Sequence, residues 1–335
     1  MSLSPRKKKI LQVLVDEYIA TATPVSSKSI TENYLTDVSS ATVRNELSAL
    51  EEMGYVSHLH TSSGRVPSPL GYKFYVNELM QRKNLSKAQL DYMKNVLSLH
   101  ADSLEQVVKN AVKVISDMTD YTSVAMTNLN PQEKIETVRL LKIKKGSALL
   151  LIVTESSILK DGIISIPENA TEEAGDSASK MLERLLKGKR LSETSEVEAQ
   201  VTEEFGAYRD VFNSVMEVIK KYCAADGEVV MEGEDKILAQ PEYFDVDKIR
   251  GFLTVVSDKD NLAKVLKEQD GGIEINLKIG ADGGLSDDCS VVTATYSSGG
   301  VNLGTYGVIG PMRMDYQKVI TVLENVGKIL EGLLK

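Results

Sequence analysis

The 335-residue chain has no apolar run approaching the roughly eighteen residues that cross a bilayer, and behind the polar, basic start from Met1 to Lys9 stands no apolar segment that would make a secretory signal. A cytoplasmic protein with no membrane partner is expected. Cysteine is scarce: Cys223 and Cys289 lie far apart without CxxC spacing, which suits a reducing compartment and argues against a disulfide or zinc framework. Both are expected as packing residues. Of the three histidines, His58 and His60 form an HxH pair with no third ligand at suitable spacing, so no metal site is expected. There is no GxSxG elbow, HExxH, Walker loop or recurrent carboxylate pair. The spacing Gly280-x-x-Gly283-Gly284 lacks GxGxxG and a following Lys-Ser or Lys-Thr, and hairpin turns account for it. Enzyme chemistry and a bound cofactor therefore have no support in the sequence.

What is present is an ordinary water-soluble composition, 42% hydrophobic and 26% charged, on a chain long enough for two or three domains. The net charge of −9 is unevenly spread, with ten Lys and Arg against eight Asp and Glu in residues 1 to 83 and 29 against 40 in the remainder. An acidic body carrying a slightly basic head would turn that head toward a polyanion.

Within the head the stretch Ser39 to Met53 stands out. Val43, Leu47 and Leu50 fall at i, i+4 and i+7, an apolar seam that must pack on something. Ala41, Asn45 and Ser48 lie opposite, with Arg44 on the flank. Those side chains suit base edges: Asn pairs with adenine, Arg with guanine or a phosphate, and Ala touches a thymine methyl. An amphipathic core helix with a solvated back is the plainer alternative, and the neighbouring segments decide between them. Ser4-Pro5 opens a first helix with Ile10, Leu14 and Tyr18 facing inward. A short helix from about Ser27 to Tyr34 and a polar turn precede the third, whose N-cap is Ser39 or Ser40. Gly54 ends it. Tyr55 to His60 alternates as a strand, and Thr61-Ser62-Ser63-Gly64-Arg65-Val66-Pro67 is a hydroxyl-rich loop with one cation. Helix, short helix, turn, helix and hairpin make a winged helix-turn-helix. Its loop could bond phosphates through Thr61, Ser62 and Ser63 while Arg65 senses a narrow minor groove. Arg6, Lys7, Lys8 and Lys9 either touch flanking phosphates or form a solvated basic end.

These pieces also carry a family resemblance. Pro24-Val25-Ser26-Ser27-Lys28, Ser40-Ala41-Thr42-Val43-Arg44-Asn45-Glu46-Leu47, Leu50-Glu51, His60 to Pro67 and Gly71-Tyr72-Lys73-Phe74-Tyr75-Val76 stand in the order and spacing found in the HrcA heat-inducible transcription repressors. Ser26 and Ser63 replace the usual Gly and Ala. Gly304-Thr305-Tyr306-Gly307-Val308-Ile309-Gly310-Pro311-Met312-Arg313-Met314-Asp315-Tyr316 resembles the C-terminal signature of the same family, while Ala281-Asp282 departs from a Glu-Asn pair. With the motif residues Thr42, Lys28 and His60 added, the candidate DNA contacts are Lys28, Ala41, Thr42, Arg44, Asn45, Ser48, His60, Thr61, Ser62 and Arg65.

Beyond Arg82-Lys83-Asn84, helical stripes run through Leu90, Met93 and Leu97 and from Leu104 to Met118. Strands are expected at Ser123 to Thr127, Ile135 to Ile143, Ala148 to Thr154 and Gly162 to Ile166, forming one antiparallel meander with turns at Lys144 to Ser147 and Lys160 to Gly162. From Glu168 to Asp245 the pattern is mostly helical, broken by a short strand at Glu228 to Met231, and reads as an insertion. Its apolar faces suit either internal core or a dimer interface, and the resemblance implies dimerisation. Two helices, three strand segments ending at Ile279, Tyr296 and Ile309, and a closing helix capped by Asp315 resemble a GAF-type domain. The expected fold is α+β and multidomain: a winged helix-turn-helix at 1–83, a GAF-like antiparallel-sheet domain at 84–167 and 246–335, and a mainly helical dimerisation domain inserted at 168–245.

The leading expectation is a homodimeric repressor on an inverted-repeat operator, one head to each half-site. The resemblance implies the CIRCE element upstream of chaperone genes as that operator, and the chaperonin GroEL as a partner favouring the active form. The alternatives are a winged-helix regulator sensing a small molecule in the GAF-like domain and an enzyme with an appended winged helix.

Overall fold

The computed structural model of the chain describes residues 3–58, 64–99, 104–127, 134–155, 159–168, 171–194, 209–224, 228–267, 275–280, 288–298 and 301–333. Helix α1 (Pro5–Thr21) starts where the Ser4 hydroxyl accepts the Lys7 N–H at 3.3 Å and Pro5 takes the first turn. It stops at Ala22, whose left-handed backbone carries its N–H back to the Tyr18 carbonyl. Helix α2 (Ser27–Asn33) is capped by Ser26 and α3 (Ser40–Glu52) by Ser39. Ile10, Leu14, Ile30, Val43, Leu47 and Leu50 are buried in one cluster, so the expected seam of α3 is the one that packs. Gly54, at φ +80°, turns the chain out of α3. Strands β1 (Val56–His58) and β2 (Arg65–Pro67) pair antiparallel, and Val25 bridges to Arg65 as a third edge.

Helix α4 (Pro69–Phe74) runs into a π-helical turn, Tyr75–Leu79, and lies hard against the exit from α3. Ser68 caps it and also donates its hydroxyl to the Gly54 carbonyl at 2.5 Å. A Cβ on Gly71 would stand 2.1 Å from the Tyr55 carbonyl oxygen, so only glycine fits. Gly71→Ala is therefore expected to destabilise the head by about 1 to 3 kcal/mol through backbone displacement, read as a lowered midpoint in thermal unfolding of the full chain.

The body contains helices α5 (Lys87–Leu97) and α6 (Leu104–Thr119), then strands β3 (Thr122–Thr127), β4 (Ile135–Lys144), β5 (Ser147–Thr154) and β6 (Leu159–Ser165). Helices α7 (Glu172–Leu186) and α8 (Arg209–Ala224) and strand β7 (Glu228–Glu232) follow. After two short 3-10 turns come α9 (Val246–Ser257), α10 (Lys259–Lys267), β8 (Asn276–Ile279), β9 (Cys289–Ser298), β10 (Val301–Pro311) and α11 (Tyr316–Leu333). Asp315 accepts the Lys318 N–H at 2.9 Å and so caps α11 as expected.

Five strands form one antiparallel sheet in the order β7-β3-β10-β9-β8. Alternate residues face opposite ways: Ala125, Val292 and Val308 look toward α6 and α11, while Val124, Val291 and Ile309 look toward α9 and α10. Helices on both faces give the GAF-like layering. The other three strands make a separate antiparallel sheet, β4-β5-β6, whose Val138, Leu140, Leu150, Ile152 and Ile164 pack on Leu182 and Leu186 of α7 and Phe212, Val215 and Ile219 of α8.

Three expectations are corrected by that pairing. β3 is not part of a meander with β4 to β6; it lies between β7 and β10, and its six residues are buried because both its faces are covered. The inserted unit is not a mainly helical segment at 168–245. It gathers β4 through α8, within 134–224, and β7 returns to the large sheet. Lys160 to Gly162 lies inside β6 instead of forming a turn.

The winged-helix head and the GAF-like sheet share one buried cluster, which runs from Ile10 and Leu50 through Tyr72 and Met93 to Tyr316 and Leu323. Tyr72 packs its ring on Tyr316 at 5.5 Å between centroids, and burial pushes its hydroxyl pKa well up. Asp16 of α1 accepts from the Tyr75 hydroxyl at 2.5 Å; burial raises its carboxyl above the ordinary range, with the hydrogen bond opposing.

Candidate nucleic-acid interface

The N-terminus of α3 is fixed twice. Ser39 Oγ accepts the Thr42 N–H at 3.1 Å, and the hydroxyls of Ser27 and Ser40 meet at 3.1 Å, tying α2 to α3. With Val43, Leu47 and Leu50 buried below, Ala41, Arg44 and Asn45 are left exposed, with Thr42 and Ser48 half-buried at the margins. Arg44 makes no ion pair with any described residue. Lys28 on α2 is 77% exposed beside the same surface, and its contact with Glu32, at 3.7 Å, is a solvated i,i+4 pair of small value. One face of the head thus offers an amide, a guanidinium, a methyl and hydroxyls, a set that can read base edges and hold phosphates.

Arg65 differs from expectation. Its side chain is only 11% exposed, with Nη2 2.8 Å from Glu51 Oε2 and Nη1 2.9 Å from His58 Nδ1. Its backbone exchanges hydrogen bonds with Val25 at 2.8 and 2.9 Å. The guanidinium therefore ties the hairpin to the last turn of α3 and does not stand free for a groove. Neither composition nor periodicity marks Glu51 as a partner, although it sits in the Leu50-Glu51 motif. His60, Thr61, Ser62 and Ser63 lie outside the described residues.

The basic cluster of α1 is also largely used within the head. Lys7 Nζ is 2.6 Å from Glu46 Oε2 on α3, and Arg6 is 3.9 Å from the same carboxylate. Lys8 pairs with Glu78 at 3.4 Å and stands 5.6 Å from the Phe74 ring centre. Lys9 is left exposed. Among the described residues no group of three His, Cys, Asp or Glu is placed to hold a metal, and no helix is long and apolar enough to cross a membrane.

A second surface stands out on the inserted unit. Leu141, Leu149 and Ile163 are register partners across β4, β5 and β6, on the side of the sheet away from α7 and α8. Ile163 is 73% exposed, Leu141 52% and nearby Ile143 55%. A one-sided antiparallel sheet ordinarily turns polar residues to water, so an apolar row there marks a contact surface.

The family comparisons agree with this geometry. The model described as a winged helix-turn-helix transcription repressor, HrcA DNA-binding, matches residues 2–75, and that of the HrcA protein C-terminal domain matches residues 105–320. The heat-inducible transcription repressor HrcA of Acetivibrio thermocellus is 34% identical over 331 residues, covering 96% of this chain and 94% of that protein. That of Ruminiclostridium cellulolyticum is 34% identical over 345 residues, covering 100% and 99%. A crystal structure of a hypothetical protein, solved at 2.2 Å, superposes with a TM-score of 0.69 at 22% identity, covering 99% of both chains, which shows a shared fold. By its two matched domains and its full-length relatives, the chain belongs to the HrcA family of heat-inducible transcription repressors.

Proposed function

We propose that the chain acts in the cytoplasm, without catalysis of its own, as a homodimer that represses chaperone genes by seating one α3 helix in each half of a CIRCE-type inverted repeat. The observation that carries the reading is the exposed row Ala41, Arg44 and Asn45 on a helix whose opposite side is fully buried, beside a hairpin. The apolar row Leu141, Leu149 and Ile163 supports pairing of two copies through the inserted unit. A twofold protein then reads a twofold site. Family membership supports heat as the signal and GroEL as the partner that favours the folded, active form. A native state only marginally lower in free energy than the unfolded chain makes such dependence physically reasonable.

The test is a footprint of the full chain on chaperone-gene promoter DNA. Protection over both arms of an inverted repeat is expected; uniform protection without position would refute it. Arg44, on the flank of the exposed row, suits a phosphate. Arg44→Ala is accordingly expected to weaken operator and random duplex alike, and to reduce by about one the slope of log affinity against log salt.

A further inference from the structure

The segment Gly310 to Tyr316, singled out in the sequence, has no part in the face offered to DNA. It holds the head onto the body. Arg313 lies between β10 and α11, and its Nη1 donates to the Ile19 carbonyl of α1 at 2.5 Å. Ile19 is in the last turn of α1, where carbonyls lack helical partners. The other edge of the same guanidinium forks onto Glu242, with Nε bonded to Oε1 and Nη2 3.2 Å from Oε2. Glu242 belongs to the turn Pro241–Tyr243 ahead of α9. One planar group, 12% exposed, therefore connects the head helix, the closing segment of the large sheet and the turn on its far side. Gln317 reaches the Gln81 carbonyl and Arg82 pairs with Glu324, extending the joint along α11. Burial works against the Arg313 charge, and the Glu242 carboxylate more than offsets it.

A joint of this kind governs aim. The head carries α3, and the body carries the apolar row proposed to join two copies, so the angle at Arg313 fixes where each α3 points relative to its twin. One base pair added between operator arms rotates one arm by about 34° about the duplex axis, given roughly 10.5 base pairs per turn. We infer that Arg313, held by Glu242, is a positioning residue that sets the spacer length the dimer accepts between the two arms of its operator. The inference rests on the repressor reading above.

The experiment titrates the full-length protein against inverted repeats whose spacer is shortened or lengthened one base pair at a time, and against a duplex with a single arm, at fixed salt. Wild type is expected to prefer one spacer over its neighbours by about tenfold or more, equivalent to about 1.4 kcal/mol. In Arg313→Ala that ranking flattens to within about threefold, while single-arm affinity and dimer mass by light scattering stay at wild-type values. Glu242→Gln, which keeps the bond to Ile19 and weakens the fork, is expected to flatten it partly, and it provides the reading if Arg313→Ala does not fold. Arg313→Lys is not expected to restore the ranking, because an ammonium cannot fork onto a carboxylate and reach a carbonyl at once. Variants that weaken every spacer equally and keep the ranking would show a structural role alone and overturn the inference. A wild type that binds arms without ranking spacers would overturn it and leave the repressor reading standing. Failure of wild type to bind any inverted repeat would remove both.

Discussion

Ile163→Asp is expected to convert the dimer to a monomer and to lower operator affinity by about 100-fold or more, because the second arm is no longer bound intramolecularly. Ile163 lies in line with Leu149 and Leu141 on the outer side of the small sheet and is 73% exposed. In a lone protomer, a carboxylate there meets water and costs little. Against a second copy of the same row it would be a buried charge without a partner, while each apolar side chain that loses burial forfeits about 1.5 to 3 kcal/mol. The neighbouring Ile164 points the other way and is 3% exposed, so Ile164→Asp would unfold the unit instead. Light scattering and operator titration on one preparation check the pair. A dimer that survives Ile163→Asp would move the interface elsewhere.

The second large effect is at Asn45. Asn45→Ala is expected to weaken operator binding by about 1 to 3 kcal/mol, the usual worth of a bidentate amide pair with adenine. Dimer mass and thermal midpoint should hold, since the side chain is exposed and the packing of α3 rests on Val43, Leu47 and Leu50. The loss is read by gel-shift titration at one salt concentration, because affinity for duplex falls steeply with salt.

The head was legible in the sequence because its rules are local. Ser39 caps α3 through a hydroxyl three residues from its target, and the seam of α3 follows a period of 3.6. Arg65 was not legible as a tie. Its partner Glu51 stands on another element, and nothing in a loop sequence says that its cation will fold back. Exposure along α3 follows the same period: Ala41, Arg44 and Asn45 are open and Ser48 half-open.

In the body the strands were found but not their sheets. β3 and β4 follow one another along the chain, yet one joins the large sheet and the other begins the small one. A signal was available: β5 alternates buried and half-buried residues, as one covered face requires, whereas β3 is buried throughout, as two covered faces require. The insertion begins ahead of its helices, because β4 to β6 supply the sheet that α7 and α8 cover. Arg313 stands in a marked segment, but its partners Ile19 and Glu242 lie 294 and 71 residues away, and nothing local names them.

Whether α3 reads bases is tested most directly by the ratio of affinities for operator and for random duplex, measured for wild type and Asn45→Ala at the same salt. Random-duplex affinity is expected to stay constant while operator affinity falls, so the ratio shrinks by about 5- to 150-fold. An unchanged ratio, whether both affinities fall together or neither moves, would mean that the exposed face of α3 does not read sequence.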